Sequence, residues 1–169
     1  SCGGHGASTH VAMSDRIQIA AILTTFYKYS LRRCNPVQVC PLIFIDDGTI
    51  APQVAVASIY LDQVHEADLC LPFAKEVGIP VYRSIRQALT LGGDELAVDA
   101  VLILGENGDY TGNELGQHLY TRRYFFEQVS CGCVVAGRSV LVFSEKHLLW
   151  SWVQAKWMYE RAIELAIPF

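Results

Sequence analysis

Apolar positions recur along this chain in two rhythms. Ile17–Leu23, Val54–Leu61, Ala100–Leu104 and residues 139–143 are short, nearly unbroken apolar runs, the length and density of strands buried on both faces. Residues 80–82 add a brief further strand. Between these runs the apolar spacing turns helical. A helix is predicted over 68–77 and stopped by Gly78, and a second starts at Ser84 as cap, runs through Leu91 and is closed by Gly92 and Gly93. Helices are also predicted over 122–135 and 147–165. Strands separated by one helix each are parallel neighbours, because an antiparallel hairpin needs only a tight turn. The predicted class is therefore α/β, a Rossmann-like doubly wound parallel sheet of five strands in the order 3-2-1-4-5 with helices on both faces.

Two segments break the rhythm. Residues 1–12 are small, polar and Gly-rich, and read as a leader set aside from the fold. Residues 31–53, with Pro36, Pro41 and Pro52 around the apolar Leu42-Ile-Phe-Ile45, read as an irregular excursion within a single domain spanning 13–169. The excursion holds Ile43-Phe-Ile-Asp-Asp-Gly-Thr-Ile50, which is similar to the start of haloacid dehalogenase-type phosphatases. The position of their nucleophilic aspartate is Ile45, so no phosphoaspartate can form there.

Composition narrows the partners. Hydrophobic residues make up 51% of 169 and charged residues 18%, too apolar for a disordered chain, yet no run approaches the roughly 18 residues that cross a bilayer. A net charge of −4 offers nothing to a phosphate backbone, so neither nucleic acid nor membrane is expected as a partner. Six cysteines lack the paired spacing of a zinc site, and a core of this size needs no disulfide staples; free thiols in a cytoplasmic protein are expected.

In an open parallel sheet, ligands bind beyond the carboxyl ends of the strands. The residues placed there are Thr24 and Thr25, Asp62, Ser84, Gly105 and Glu106, and Glu145, Lys146 and His147. Asp62 stands where a dinucleotide fold uses an acid for the adenosine ribose, and equally where a turn acid precedes a helix. The turn after the first strand, Leu23-Thr-Thr-Phe-Tyr27, has no glycine to let backbone amides approach a pyrophosphate. Glu106 and Asp109 in Gly105-Glu-Asn-Gly-Asp-Tyr110 suit an acid/base pair or a divalent cation, or Asn107-Gly108 is simply a turn. His118 follows in a polar loop.

Val56-Ala-Ser-Ile-Tyr-Leu-Asp62, Ala74-Lys-Glu-Val-Gly-Ile-Pro-Val-Tyr82, Ser84-Ile-Arg-Gln-Ala88, Val98-Asp-Ala-Val-Leu-Ile103 and Val142-Phe-Ser-Glu-Lys146 together resemble the nucleotide-binding half of the glucose-fructose oxidoreductase and inositol dehydrogenase family, and uncharacterised bacterial relatives of that half still more. The resemblance covers residues 16–169 apart from the excursion. It implies NAD or NADP as cofactor, with Thr24, Thr25, Asp62, Gly105 and Glu145 around it. In that family a Glu-Lys-Pro triplet follows the fifth strand. Glu145 and Lys146 fall on its first two positions and His147 replaces the proline, which makes Lys146, His147 and Glu106 the candidate catalytic residues. The missing glycines and the family's second domain, expected to be lacking here, are the departures.

Three functions follow: a small-molecule-binding or assembly module on this scaffold, an oxidoreductase-like enzyme completed by a partner or oligomer, and a metal-assisted lyase or hydrolase using Glu106, Asp109 and His147. The first is preferred. Asp62, Glu106, Lys146 and His147 are expected to line one cleft. Self-association, as a dimer, is expected through the last helix. There Trp152, Ala155, Tyr159, Ala162 and Ala166 form the predicted core face, and Trp150, Val153 and Trp157 the stripe left over.

Overall fold

A computed structural model of the chain describes residues 16–27, 54–106, 108–145 and 147–169. Its strands are β1 (Ile17–Leu23), β2 (Val54–Leu61), β3 (Val81–Tyr82), β4 (Ala100–Leu104) and β5 (Leu141–Ser144), and its helices are α1 (Cys70–Val77), α2 (Ile85–Leu89), α3 (Arg122–Ala136) and α4 (Trp152–Glu164). The strands form one sheet in the order β3-β2-β1-β4-β5, every pair parallel, as the alternation of elements predicts. The leader at 1–12 and the excursion at 31–53 lie outside the described residues.

Period-two alternation along β1 divides the core. Ala20 and Ile22 face one side with Val101, Ile103 and Val142, where α2, α3 and α4 cover them through Leu89, Phe125, Phe126, Val129, Met158 and Ala162. Ala21 and Leu23 face the other side with Ile59, covered by Cys70 and Ala74 of α1. The pairing of β1 with β2 slips once, Ile19 facing Val56 but Ala20 facing Ser58, so Ala57 is the extra residue of a bulge. Beyond it the Ser58 hydroxyl turns to the α2 side and donates to the Ala88 carbonyl at 2.7 Å, which ties helix to sheet. Ser84 caps α2 as expected, its hydroxyl accepting from the Gln87 amide.

The last helix departs from expectation in two ways. It begins at Trp152 rather than at residue 147, because Ser151 is extended (φ −103°, ψ 119°) and His147 lies on the connection before it. Its buried face is Met158 and Ala162, while Trp152 and Tyr159, assigned to the core from their spacing, are exposed. Trp157, assigned to the leftover stripe, instead packs edge-on against Phe126 at 6.4 Å and takes the Arg123 guanidinium over its ring at 4.8 Å. The space above the sheet admits the slender Met158 and the small Ala162, the one member of the expected core face that is buried.

Candidate functional site

The carboxyl ends of β1, β2, β4 and β5 lie side by side, and their backbones stay in register just past the strands. The Thr24 amide donates to Leu104, the Asp62 amide to Leu23, the Gln63 amide to Thr24 and the Glu145 amide to Ile103. Thr24, Asp62, Gly105 and Glu145 are thereby fixed along one edge of the sheet, which is where strand-end residues of a parallel sheet belong.

Asp62 is the centre of this edge. One carboxylate oxygen accepts from the Tyr60 hydroxyl and the other from the Tyr110 hydroxyl, each at 2.7 Å. Tyr60 reaches it from two residues back, on β2 itself. Tyr110 reaches it across 48 residues, from the loop between β4 and α3. The Thr121 hydroxyl donates to the Tyr110 oxygen at 3.1 Å. Burial first, and then the hydrogen bond to Asp62, raise the Tyr60 phenol above its ordinary range. For Tyr110, burial again leads; the contacts with Thr121 and Thr24 oppose it, the bond to Asp62 adds to it, and the phenol is pushed up to about 12. Both phenols are fixed donors at neutral pH, holding a carboxylate rather than exchanging protons with it.

A second contact fastens the same loop. The Gln63 carboxamide accepts from the Asp109 amide at 2.8 Å and donates to the Asp109 carbonyl at 3.3 Å, so Asp109 is engaged through its backbone. Two glycines make the close approach possible. A Cβ on Gly108 would run into the Tyr110 ring and the Thr24 methyl, and one on Gly105 would lie 2.5 Å from Arg122 Cγ. Beyond Gly105, the guanidinium of Arg122, 1% exposed, meets Glu106 Oε1 at 3.1 Å and lies over the Tyr120 ring at 5.3 Å. The His118 ring stacks 5.8 Å from that of Tyr120, with Nδ1 3.3 Å from the Tyr110 carbonyl.

Of the residues expected to share one cleft, Asp62 is bonded to Tyr110 and Glu106 to Arg122, at two points of the segment that runs from β4 into α3. His147 is exposed on the connection between β5 and α4, and Lys146 lies outside the described residues. Thr24 is fully buried and Thr25 partly so. Among the described residues no group of three His, Cys, Asp or Glu side chains is arranged to hold a metal ion. Tyr60, Tyr110, Gln63 and Arg122 were not foreseen as site residues. The one sequence signal for them was a Tyr closing a Gly-Asp turn and an Arg opening an apolar helix.

These features define a Rossmann-like α/β domain whose strand-end acid is occupied by its own chain. Solved structures share the fold. UDP-N-acetylglucosamine 3-dehydrogenase GnnA from Acidithiobacillus ferrooxidans is 15% identical, with a TM-score of 0.53 over 90% of this chain and 36% of its own. The WlbA dehydrogenase from Chromobacterium violaceum, solved with NADH and UDP-GlcNAcA, is 14% identical, with a TM-score of 0.52 over 92% of this chain and 34% of its own. Biliverdin reductase from Synechocystis sp. PCC 6803, solved with biliverdin and NADP+, is 17% identical, with a TM-score of 0.50 over 89% and 36%. The chain thus spans about a third of the length of these oxidoreductases. No protein-family model and no curated protein matches it.

Two of these structures were solved with a nicotinamide dinucleotide, whereas the strand edge of this chain is filled by its own residues. The turn after β1 offers Thr24, Thr25 and Phe26 in place of glycines, the Thr24 amide is bonded to Leu104, and Gly108 is packed against the Thr24 side chain. At Asp62, both carboxylate oxygens already accept from tyrosine hydroxyls.

Proposed function

We propose that the chain is a binding and assembly module on an oxidoreductase-type Rossmann-like scaffold, in which the loop from Gly105 to Thr121 takes the place of a dinucleotide at the strand ends. The observation that carries this reading is Asp62, whose two oxygens accept from Tyr60 and Tyr110. The glycine-free turn at Thr24 and Thr25 supports it, since side chains there keep a pyrophosphate off the backbone. Any small-molecule ligand of this edge has to displace Tyr110 from Asp62 or bind beside it, near Glu106 and Arg122. Self-association completes the module, with exposed aromatic and aliphatic side chains on α4 as its surface. Among the described residues no helix is long and apolar enough to cross a membrane, and a cytoplasmic location is part of this proposal.

Calorimetric titration with NAD and with NADP tests the reading. The expected result is no binding at micromolar concentration, with measurable binding gained by Tyr110→Ala. Micromolar affinity of the parent chain for either nucleotide overturns it and restores the dehydrogenase alternative, with Asp62, Glu145, Lys146 and His147 in the roles that the resemblance implies.

A further inference from the structure

The solvent side of α4 carries a stripe that the described residues leave exposed. Met158 and Ala162 face the core, and on the flank beside them Trp152 (79% exposed), Tyr159 (59%) and Ile163 (63%) point outward with Lys156 between them. Their steps of four, three and four residues keep them on one narrow face, the spacing of a helix-pairing seam. At the C-terminal end of this stripe, Tyr159, Ile163, Ala166 and Phe169 contribute to a depression of about 290 Å³, of a size that admits one aromatic side chain.

We propose that this stripe is a two-fold interface with a second copy of the chain, α4 antiparallel to α4, with Trp152 of each copy seated in the depression of the other. The proposal deepens the self-association stated above and rests on it. An isologous interface requires that one surface carry both a feature and its complement, so that residue i meets j and j meets i. Here the largest knob and the hole lie at opposite ends of the same stripe, eleven residues or roughly 16 Å apart along the helix axis. One antiparallel pairing therefore fills the hole twice. A parallel pairing sets tryptophan on tryptophan and leaves both holes open. In the middle of the antiparallel pair, the Lys156 stem lies along Tyr159 of the second copy and its ammonium reaches that copy's Glu160, an acid that already sits 3.5 Å from Lys156 within one helix. The stripe is thus complementary to itself in charge as well as in shape.

Sedimentation velocity of the full chain at tens of micromolar is the test. A species of twice the 18.8 kDa chain mass is expected, reduced to the monomer by Trp152→Glu and by Ile163→Glu while circular dichroism stays unchanged. Val64→Glu, at an exposed position away from α4, is expected to leave the dimer intact. Pairing direction is read separately: under mild oxidation, a mixture of Trp152→Cys and Ile163→Cys chains is expected to form a covalent dimer beyond the level of the parent chain, and neither variant alone. A dimer that survives both glutamate variants overturns this interface while leaving self-association standing. A parent chain that is monomeric overturns both. Covalent dimers from either cysteine variant alone overturn the antiparallel arrangement.

Discussion

Tyr110→Phe isolates the contact on which the reading of the strand edge depends. The substitution keeps the ring that packs against Gly108 and Thr24 and removes only the hydroxyl. It deletes a 2.7 Å donation to the Asp62 carboxylate and the acceptor for Thr121. A hydrogen bond to a charged group contributes about 1.5–3 kcal/mol. The phenol is half-buried and Asp62 keeps Tyr60, which places the loss toward the lower end, at about 1.5–2 kcal/mol. In a chain of this length that lowers Tm by about 3–8 °C. Urea and thermal unfolding followed by circular dichroism measure it. Alkaline pH supplies a second readout with a definite sign. The folded chain holds the Tyr110 proton up to about 12 against 10.0 for an ordinary tyrosine, so between these values the unfolded chain has lost a proton the native chain keeps. Stability contributed by this group is complete below pH 10 and falls as pH rises toward 12. Tyr110→Phe is expected to flatten that decline. A loss below about 0.5 kcal/mol, the range of an ordinary surface substitution, together with an unchanged alkaline profile, would refute the Asp62–Tyr110 contact as the fastening of the loop.

The same loop should resist a side chain at its second glycine: Gly108→Ala, whose Cβ runs into Tyr110 and Thr24, is expected to cost about 1–3 kcal/mol and to expose residues 106–121 to limited proteolysis, and an unchanged urea midpoint with unchanged cleavage would count against it. Thiol chemistry should separate neighbours on α3. Cys131 is exposed, whereas burial pushes the Cys133 thiol up, so iodoacetamide at neutral pH is expected to label Cys131 rapidly and Cys133 only as the chain opens. Equal rates in peptide mass mapping would show that the described packing of α3 is wrong.

The parts legible in the sequence are those governed by continuous apolar runs and by chain direction. β1, β2 and β4 begin and end at the predicted residues because Thr24, Asp62 and Gly105 break buried runs abruptly, and the strand order follows from right-handed crossovers between parallel strands. The position of Asp62 at the sheet edge was legible for the same reason. Its partners were not. Tyr110 is 48 residues away, and nothing in a Gly-Asp-Tyr turn reveals where its hydroxyl will go. Arg122 was legible only as the start of a helix; that Gly105 clears a space in which its stem is buried and its charge meets Glu106 was not. On α4, spacing placed Ala162 correctly in the core but also Trp152 and Tyr159, which are exposed, because the space above the sheet selects by shape and not by hydrophobicity alone.

The central place of β1 sets a constraint on how the chain comes off the ribosome. Ile17–Leu23 is the first of the described strands to be made, yet it lies between β2 and β4, and Ile19 does not meet Ala100 until some eighty further residues have been synthesised. At roughly 5–20 residues per second, that interval lasts for several seconds. During it the run Ile17-Gln-Ile-Ala-Ala-Ile-Leu23 lacks its full complement of neighbours and is open to holdase chaperones or to the same segment of another nascent chain. The strand most protected in the finished domain is the one most exposed while the domain is being built.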